Sequence, residues 1–293
     1  GAMEPVLKPN GKARQELIVR LVTIASTMPA GIGDDEDVPT AGAIVRIILK
    51  GWMQAGYWPG KGVVSDTEPK SLETLRAACP EAFTVPGDNL QPAEQDVVFL
   101  ALHPPGLKSA LGDLRGRVSA ASIVVSLAPK LTIEDIAGAL GGASKIARVI
   151  PNAPSIVGAG FNPICFGPAL SSTDRGVLLN LLAPLGAAPE VAERDLEAYA
   201  LLTGMGPTCL WFELYEMLAL AEEFGLERAA ATKALAEMAR GTVRTMTDSH
   251  LSPAEVMDLV PVRPLAEEEE AWKAIYRTRF RAIENRIRPA AKA

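Results

Sequence analysis

Short apolar runs alternate with helical segments through the first two thirds of the chain. Each run has the length of a buried strand, and each helical segment ends at glycine or proline. This alternation predicts a doubly wound α/β fold with a mostly parallel sheet between helices. The predicted strands are residues 17–25, 62–65, 82–85, 96–102, 122–126, 146–150 and 162–166. The predicted helices among them are residues 41–55, 70–78, 106–114 and 132–140.

From about residue 195 the strand pattern gives way to long apolar helices. We therefore predict an all-helical second domain, residues 194–293, after a first domain of residues 1–193. Within residues 210–220 the apolar side chains cover most of the helix circumference, more than one core would use. This feature favours a homodimer built through the C-terminal helices. The predicted helices are residues 196–203, 207–224, 227–246, 254–259 and 267–287.

The composition is typical of an α/β enzyme with aliphatic cores, because 48% of the 293 residues are hydrophobic and only 5% are aromatic. A net charge of −6 without an evident basic face argues against a nucleic-acid partner. Apolar runs stay below the ~18 residues of a membrane span, so we expect a cytoplasmic protein without membrane contact. Cys79, Cys165 and Cys209 form no CxxC pair, which predicts free thiols and no metal site.

The turn after the first strand is a candidate dinucleotide site, because backbone amides there can bind a diphosphate at a helix N-terminus. Ser26, Thr27 and Met28 are the candidate contacts, and Gly-Ile-Gly follows at residues 31–33. The third glycine of the dinucleotide fingerprint is absent, and an acidic run occupies residues 34–37. Two interpretations stay open: a nucleotide cradle, or a solvated acidic loop whose carboxylates repel phosphate.

Two further strand ends carry residues suited to a cofactor at the ligand-binding edge of the sheet. Asp66 closes the second strand, where it could accept the hydroxyls of an adenosine ribose and favour NADH over NADPH. Capping the next helix is its alternative role. Leu102, His103 and Pro104 close the fourth strand and are candidate cofactor contacts. His103 is also a candidate catalytic group, although a lone histidine in a turn is more often structural.

Two later segments are candidate substrate contacts. Asn152 lies between two prolines after an apolar strand, where its amide could meet a nicotinamide carboxamide or a substrate. Capping of the turn explains Asn152 equally well. Residues 203–208 predict a tight Gly-Gly-Pro bend before a long helix, so the amides of Gly204 and Gly206 could bind a substrate carboxylate. A close crossing of two helices is the alternative explanation for these glycines.

In their order along the chain, these motifs resemble the pyrroline-5-carboxylate reductase family, which reduces a cyclic imine to proline with NADPH or NADH. Residues 125–133 look like the strand and turn before the family's fifth helix. Residues 148–154, Arg-Val-Ile-Pro-Asn-Ala-Pro, are similar to its RVMPNTP segment, and residues 203–207, Thr-Gly-Met-Gly-Pro, to its SGSGP bend. The resemblance covers residues 41–260 approximately, and the ordered combination is more specific than any single motif.

The resemblance implies a Rossmann-type dinucleotide-binding domain, an intertwined helical dimerisation domain and an active site in the cleft between them. It also implies hydride transfer from NADH or NADPH to a small imine, in proline metabolism. The candidate proton donors are then His103, Thr203 and Thr208. Arg263 offers a cation for the carboxylate of the substrate.

Two segments depart from the family pattern. The acidic loop at residues 28–40 replaces its GxGxMA turn, and Val-Pro-Val-Arg-Pro-Leu at residues 260–265 replaces its TSPGGTT loop. The second departure removes a hydroxyl and, through two prolines, backbone donors. We therefore weigh two functions: an NAD(P)-dependent oxidoreductase acting on an imine or a related carbonyl compound, and a non-catalytic pseudoenzyme that serves as a dimeric scaffold or binding module.

Overall fold

The computed structural model describes the chain at residues 19–22, 40–58, 62–66, 69–80, 82–87, 96–102, 104–142 and 145–289. Contacts divide the chain between Ala200 and Leu201 into two compact units, and the chain returns to the first unit at Ile287. The sequence placed this boundary between residues 193 and 194. The segment between the two positions packs on the first unit, where Leu196 and Ala200 join Ile150 in a small apolar cluster.

The first unit is built around a twisted sheet whose strands follow the predicted runs. In chain order the strands are β1 Val19–Val22, β2 Val63–Asp66, β3 Phe83–Pro86, β4 Val97–Leu100, β5 Ile123–Ser126, β6 Ile146–Val149, β7 Gly160–Phe161, β8 Ile164–Phe166 and β9 Gly186–Ala187. Seven of them form one sheet in the order β3-β2-β1-β4-β5-β6-β8, and β7 pairs with β9. Every pair in the larger sheet is parallel except β6 with β8. This order confirms the predicted Rossmann-type sheet, with its topological switch point between β1 and β4.

Helices cover the sheet and then build the second unit. In chain order they are α1 Thr40–Gln54, α2 Pro69–Ala78, α3 Pro104–Leu114, α4 Ile133–Leu140, α5 Ser172–Leu182, α6 Leu196–Tyr199, α7 Gly206–Glu223, α8 Arg228–Asp248, α9 Pro253–Asp258 and α10 Glu269–Ile287. α5 was not among the predicted helices, because its apolar residues are confined to the second half of the helix. The missed signal is a capping box, in which Ser171 and Asp174 satisfy each other's backbone amides.

The predicted Gly-Gly-Pro bend is wrong, because the chain stays helical there. Ala200–Met205 form a π-helical segment that joins α6 to α7. Pro207 lies in the first turn of α7, directly after the π-helical segment, where a residue without a backbone N–H is tolerated. Gly204 and Gly206 therefore lie within helical turns rather than in an open bend. A π-helical segment is rare and is often found at a functional site.

Alternate residues of the central strands build one core on each face of the sheet. Val97 and Phe99 of β4 point into the cluster beneath α1, α2 and α5, whereas the residues after each of them point towards α3 and α4. Trp52 of α1 is buried in the first cluster. Its indole N–H donates to the carbonyl oxygen of Leu181 at 2.7 Å, so this buried side chain also satisfies its polar atom.

A glycine sets the distance between α1 and the 3₁₀ turn Ala153–Val157. A Cβ at Gly51 would lie 2.4 Å from the carbonyl oxygen of Ser155 and 2.6 Å from a methyl carbon of Leu185. Both distances are far inside van der Waals contact. Glycine is therefore required at this position for α1 to pack as closely as it does.

The second unit, Leu201–Arg286, is helical as predicted. Phe212 and Trp272 stack within it, with ring centroids 6.2 Å apart. Ser252 begins α9 with a capping box. No helix in the part of the chain described here is both long and apolar enough to cross a membrane. Large apolar side chains on α7 are exposed: Leu210, Trp211, Phe212, Tyr215, Met217 and Leu220.

Candidate active site at the carboxyl edge of the sheet

The carboxyl ends of β1, β2, β4 and β5 meet at one edge of the sheet, where doubly wound folds bind their ligands. Asp66 ends β2, and Leu102 follows β4 by two positions. The connection after β5 reaches the N-cap of α4 at Thr132. Four predicted cofactor or catalytic residues lie outside the described residues: Ser26, Thr27, Met28 and His103. The acidic run at residues 34–37 lies outside them as well.

The other predicted cofactor contacts on this edge are well packed. Asp66 is only 2% exposed, and its carbonyl oxygen accepts the N–H of Gly87 at 3.0 Å. Asp66 is the last residue of β2, and α2 begins three positions later at Pro69. Asp66 therefore belongs to the sheet and is not the residue that directly precedes α2. The Leu102 side chain is buried in the cluster beneath α3 and α4, so its predicted cofactor contact could involve only its backbone. Pro104 is the first residue of α3, a position that suits the fixed φ of proline.

Asn152 holds the backbone of its own neighbourhood. Its carboxamide oxygen accepts the N–H of Phe161 at 3.1 Å, and its backbone N–H donates to the side-chain oxygen of Asn162 at 3.3 Å. The Asn162 oxygen also accepts the hydroxyl of Ser155 at 2.7 Å. The Asn152 side chain does not cap the following 3₁₀ turn. The predicted capping of the turn is therefore wrong, because the carboxamide binds β7 instead, and the ligand contact stays a prediction.

A buried ion cluster, which was not predicted from the sequence, lies beneath this edge. Arg148 of β6 is completely buried, and its guanidinium donates to Glu197 at 2.6 Å and to Glu193 at 3.1 Å. The Glu197 side chain is 5% exposed and that of Glu193 is 32% exposed. The signal was an arginine inside an apolar strand, since a buried cation needs acidic partners.

The two carboxylates of the cluster also bind backbone amides beyond β5. Glu197 accepts the N–H of Lys130 at 3.1 Å, and Glu193 accepts the N–H of Ile133 at 2.7 Å. Arg148 thereby connects β6, the connection from β5 to α4, and the start of α6. The cluster consequently fixes the position of the backbone that leaves the carboxyl end of β5.

Cys165 of β8 is the register partner of Arg148. Burial, with a further contribution from the charge of Glu193, raises the pKa of the Cys165 thiol. The thiol is therefore protonated at neutral pH and is a poor nucleophile. Among the residues that the structure describes, no group of three or more His, Cys, Asp or Glu side chains could hold a metal ion.

The remaining predicted site residues belong to the second unit. Thr203 and Gly204 lie in the π-helical segment, and Gly206 is the first residue of α7. The hydroxyl of Thr208 donates to the carbonyl oxygen of Met205 at 2.6 Å, so its proton is engaged within the helix. Arg263 forms an ion pair with Glu269, which neutralises the charge expected to meet a substrate.

Comparison with known proteins supports the resemblance found in the motifs. A family model described as "NADP oxidoreductase coenzyme F420-dependent" matches residues 40–130. Pyrroline-5-carboxylate reductase of Corynebacterium melassecola is 30% identical over 173 residues, covering 58% of this chain and 64% of the relative. The Escherichia coli enzyme of the same name is 26% identical over 245 residues, covering 82% of this chain and 89% of the relative.

In sequence, the chain is similar to the pyrroline-5-carboxylate reductases. Solved structures with that name share its fold over nearly the whole length. The Coxiella burnetii protein aligns with a TM-score of 0.62 at 23% identity, covering 93% of this chain and 95% of its own. The Streptococcus pyogenes protein aligns with a TM-score of 0.67 at 15% identity, covering 92% of this chain and 96% of its own. A Plasmodium falciparum relative with NADP bound gives a TM-score of 0.64 at 17% identity, covering 92% of this chain and 94% of its own.

Proposed function

We propose that the protein is an NAD(P)-dependent oxidoreductase that reduces a small imine in the manner of the pyrroline-5-carboxylate reductases. The observation that carries this proposal is the similarity to the Escherichia coli enzyme over 82% of the chain. The doubly wound sheet also supports the proposal, because folds of this kind bind dinucleotides at the switch point of the sheet. The substrate class comes from the relatives, because the loop at residues 260–265 differs from the family pattern.

The described residues suit one half of such a cofactor. The carboxylate of Asp66, at the carboxyl end of β2, is the type of group that accepts ribose hydroxyls. A 2′-phosphate at the same place would be repelled by that charge, so we propose that NADH is preferred to NADPH. When bound, the reduced nicotinamide supplies the hydride, and the protein orients the ring and the imine carbon and excludes water.

The protein must also provide a proton to the nitrogen of the imine. His103, Thr203 and Thr208 are our candidates for this role. The hydroxyl proton of Thr208 is already donated to Met205, so proton transfer from Thr208 would require that bond to break. Asn152, Gly204, Gly206 and Arg263 stay our candidates for binding the substrate, with Arg263 free to act only after leaving Glu269.

Cofactor titration followed by turnover tests the proposal. NADH and NADPH are titrated against the protein by fluorescence, and oxidation of the bound cofactor is then followed with pyrroline-5-carboxylate. We expect binding of both nucleotides, tighter binding of NADH, and turnover of the imine. A reduced deazaflavin is included because of the description of the matching family model. Failure of all three cofactors to bind would overturn the redox function and favour the scaffold or binding module.

An Asp66→Ser variant tests the proposed cofactor preference. Removal of the carboxylate is expected to reduce the preference for NADH over NADPH by about tenfold, because one close charge contact is removed. Because Asp66 is buried, its replacement is checked by far-UV circular dichroism. An unchanged preference in a folded variant would contradict the role of Asp66.

We further propose that the protein is a homodimer joined through helices of the second unit. The support is the row of exposed aromatic and aliphatic side chains on α7, including Trp211 and Tyr215. Size-exclusion chromatography with light scattering should give twice the mass of the chain. Trp211→Glu is expected to shift the protein to the monomer, whereas Glu216→Gln, on the same helix, should not. A monomeric wild-type protein at micromolar concentration would refute this proposal.

A further inference from the structure

Lys130 has a backbone conformation that lysine rarely adopts. Its φ is 80°, in the left-handed region, where glycine, asparagine and aspartate are the usual residues. In the described part of the chain, the other non-glycine residue with positive φ is His250. Such strain persists where the surrounding structure enforces it, and it is concentrated at functional sites. The question is therefore what a lysine provides at this point that glycine would not.

The connection that carries Lys130 is fixed by hydrogen bonds along its length. The N–H of Leu127 donates to the carbonyl oxygen of Leu100 at 3.0 Å, which extends the pairing of β5 with β4. The N–H of Lys130 donates to the buried carboxylate of Glu197 at 3.1 Å, and Glu197 is in turn held by Arg148. The position of the Lys130 backbone is therefore set before any ligand binds.

The Lys130 side chain is exposed, whereas Leu127, Ala128 and Leu131 around it are buried. Lysine ion pairs in the described part of the chain occur at Lys145 and Lys273, and Lys130 has none. Glu197 binds its backbone, not its ammonium group. A rigid backbone thus presents one unpaired positive charge to solvent.

The location of this charge is the carboxyl edge of the sheet, on the side of the switch point away from Asp66. Asp66 ends β2, and β5 lies beyond β4 on the other side of β1. A dinucleotide crosses such a sheet at its switch point, with one nucleotide on each half. Adjacent strands are about 4.8 Å apart, so the end of β5 is about 10 Å from that of β1, where the diphosphate would bind. Lys130 consequently lies on the half that receives the nicotinamide and the substrate.

We infer that Lys130 is a specificity residue that binds the carboxylate of the substrate at the carboxyl edge of β5. This inference rests on the proposed function for the identity of the reaction, but the anion site itself does not require turnover. An ammonium–carboxylate contact at this edge of the sheet favours a substrate with a negative charge over its neutral analogue.

The first test compares a charged imine with a neutral one. Pyrroline-5-carboxylate and 1-pyrroline differ in the carboxylate, and both are assayed with wild type, Lys130→Gln and Lys130→Arg. Lys130→Gln is expected to lower kcat/KM for pyrroline-5-carboxylate by about tenfold or more, as for loss of a charged hydrogen bond, with a much smaller effect on 1-pyrroline. Lys130→Arg should retain most of the discrimination. Equal losses on both imines would overturn the inference.

Two controls separate charge from folding. Lys50→Gln removes an exposed lysine from the interior of α1 and should leave both imine activities unchanged. Lys130→Gly removes the ammonium and also relieves the left-handed strain. Its melting temperature should be no lower than that of wild type, while its discrimination between the imines falls as in Lys130→Gln. A lower melting temperature for Lys130→Gly would contradict the strained-backbone argument.

A binding measurement distinguishes failure of this inference from failure of the proposed function. L-proline and pyrrolidine are titrated calorimetrically into the protein with and without NAD⁺. We expect proline to bind about tenfold more weakly to Lys130→Gln than to wild type, and NADH affinity to be unchanged. If no nicotinamide cofactor binds but proline affinity still depends on Lys130, the redox function fails and the anion site stands. Proline affinity that is absent, or independent of Lys130, overturns the anion site.

Discussion

Breaking the Arg148 cluster should destabilise the first unit much more than breaking a surface ion pair. The Arg148 guanidinium is completely buried and the Glu197 side chain is 5% exposed, so water cannot replace either partner. Glu197→Gln keeps the size of the side chain and an acceptor for the Lys130 amide, but removes the buried charge. Removing one partner of a buried ion pair costs about 3–5 kcal/mol, and we expect the lower end because Glu193 still pairs with Arg148.

A double-mutant cycle tests whether this cost belongs to the ion pair. Arg148→Met leaves two carboxylates without their cation and should cost about 3–5 kcal/mol by itself. In the combined variant, the buried carboxylate and the buried guanidinium are both gone. Its cost should therefore fall short of the sum of the two single costs by about 2 kcal/mol or more.

The assay is unfolding in urea, monitored by hydrogen exchange in peptides from β5 and β6. The signal then reports on the stability of the first unit. Glu190→Gln is the matched control, because it breaks the exposed Arg175–Glu190 pair and should cost below about 1 kcal/mol. The reasoning is refuted if Glu197→Gln costs no more than this control. It is refuted equally if the Arg148→Met and Glu197→Gln costs add to within about 0.5 kcal/mol.

Three further changes probe the packing of the first unit. Gly51→Ala places a Cβ 2.4 Å from the Ser155 carbonyl oxygen and should cost about 1–3 kcal/mol in thermal unfolding, whereas Gly138→Ala, with open space around it, should be neutral or stabilising. Trp52→Phe leaves the Leu181 carbonyl oxygen without its donor and opens a cavity, and should cost about 2–4 kcal/mol in urea unfolding. Burial alone would raise the pKa of Asp174, but hydrogen bonds from Ser171 and Lys145 lower this pKa overall. The ionised carboxylate therefore stabilises the folded state above about pH 4, and this contribution is lost as pH falls through the lowered pKa. Asp174→Asn should make acid unfolding less steep, and an unchanged pH profile would contradict this assignment.

The strands were predictable because burial on both faces leaves a signal in the sequence itself. In β4 every residue is buried, so the run is continuously apolar and ends at the polar edge of the sheet. The alternation of these runs with helices predicts a mostly parallel, doubly wound sheet, whereas the Rossmann-type order of the strands was expected from the resemblance in the motifs. The candidate cofactor edge was predictable for the same reason, because the end of β2 at Asp66 is placed by topology.

Helical continuity across residues 200–206 was not predictable, because the sequence there contains the residues that usually end a helix. Gly204 and Pro207 indicate a break when they are considered locally. The structure instead places Gly204 in the π-helical segment and Pro207 in the first turn of α7, where proline is tolerated. The local signals for the start of a new helix and for a π-helical insertion are the same.

The sequence indicates that Arg148 needs acidic partners, but the pattern of apolar and polar residues does not identify them. Arg148 lies in a strand whose other residues are apolar, so a guanidinium that is always charged must be buried there and must have acidic partners. The chain has 35 acidic residues, and periodicity does not choose among them. Two conditions restrict which acidic residues can pair with Arg148. The residues must follow a segment that brings the chain back beside β6, as β8 does, and their spacing must place both carboxylates on the same side of a helical turn. Glu193 and Glu197 meet both conditions, being four positions apart where a 3₁₀ turn runs into α6. A buried arginine in a strand therefore predicts that acidic residues lie within hydrogen-bond distance of it. Here those residues, Glu193 and Glu197, also hold the backbone that carries Lys130.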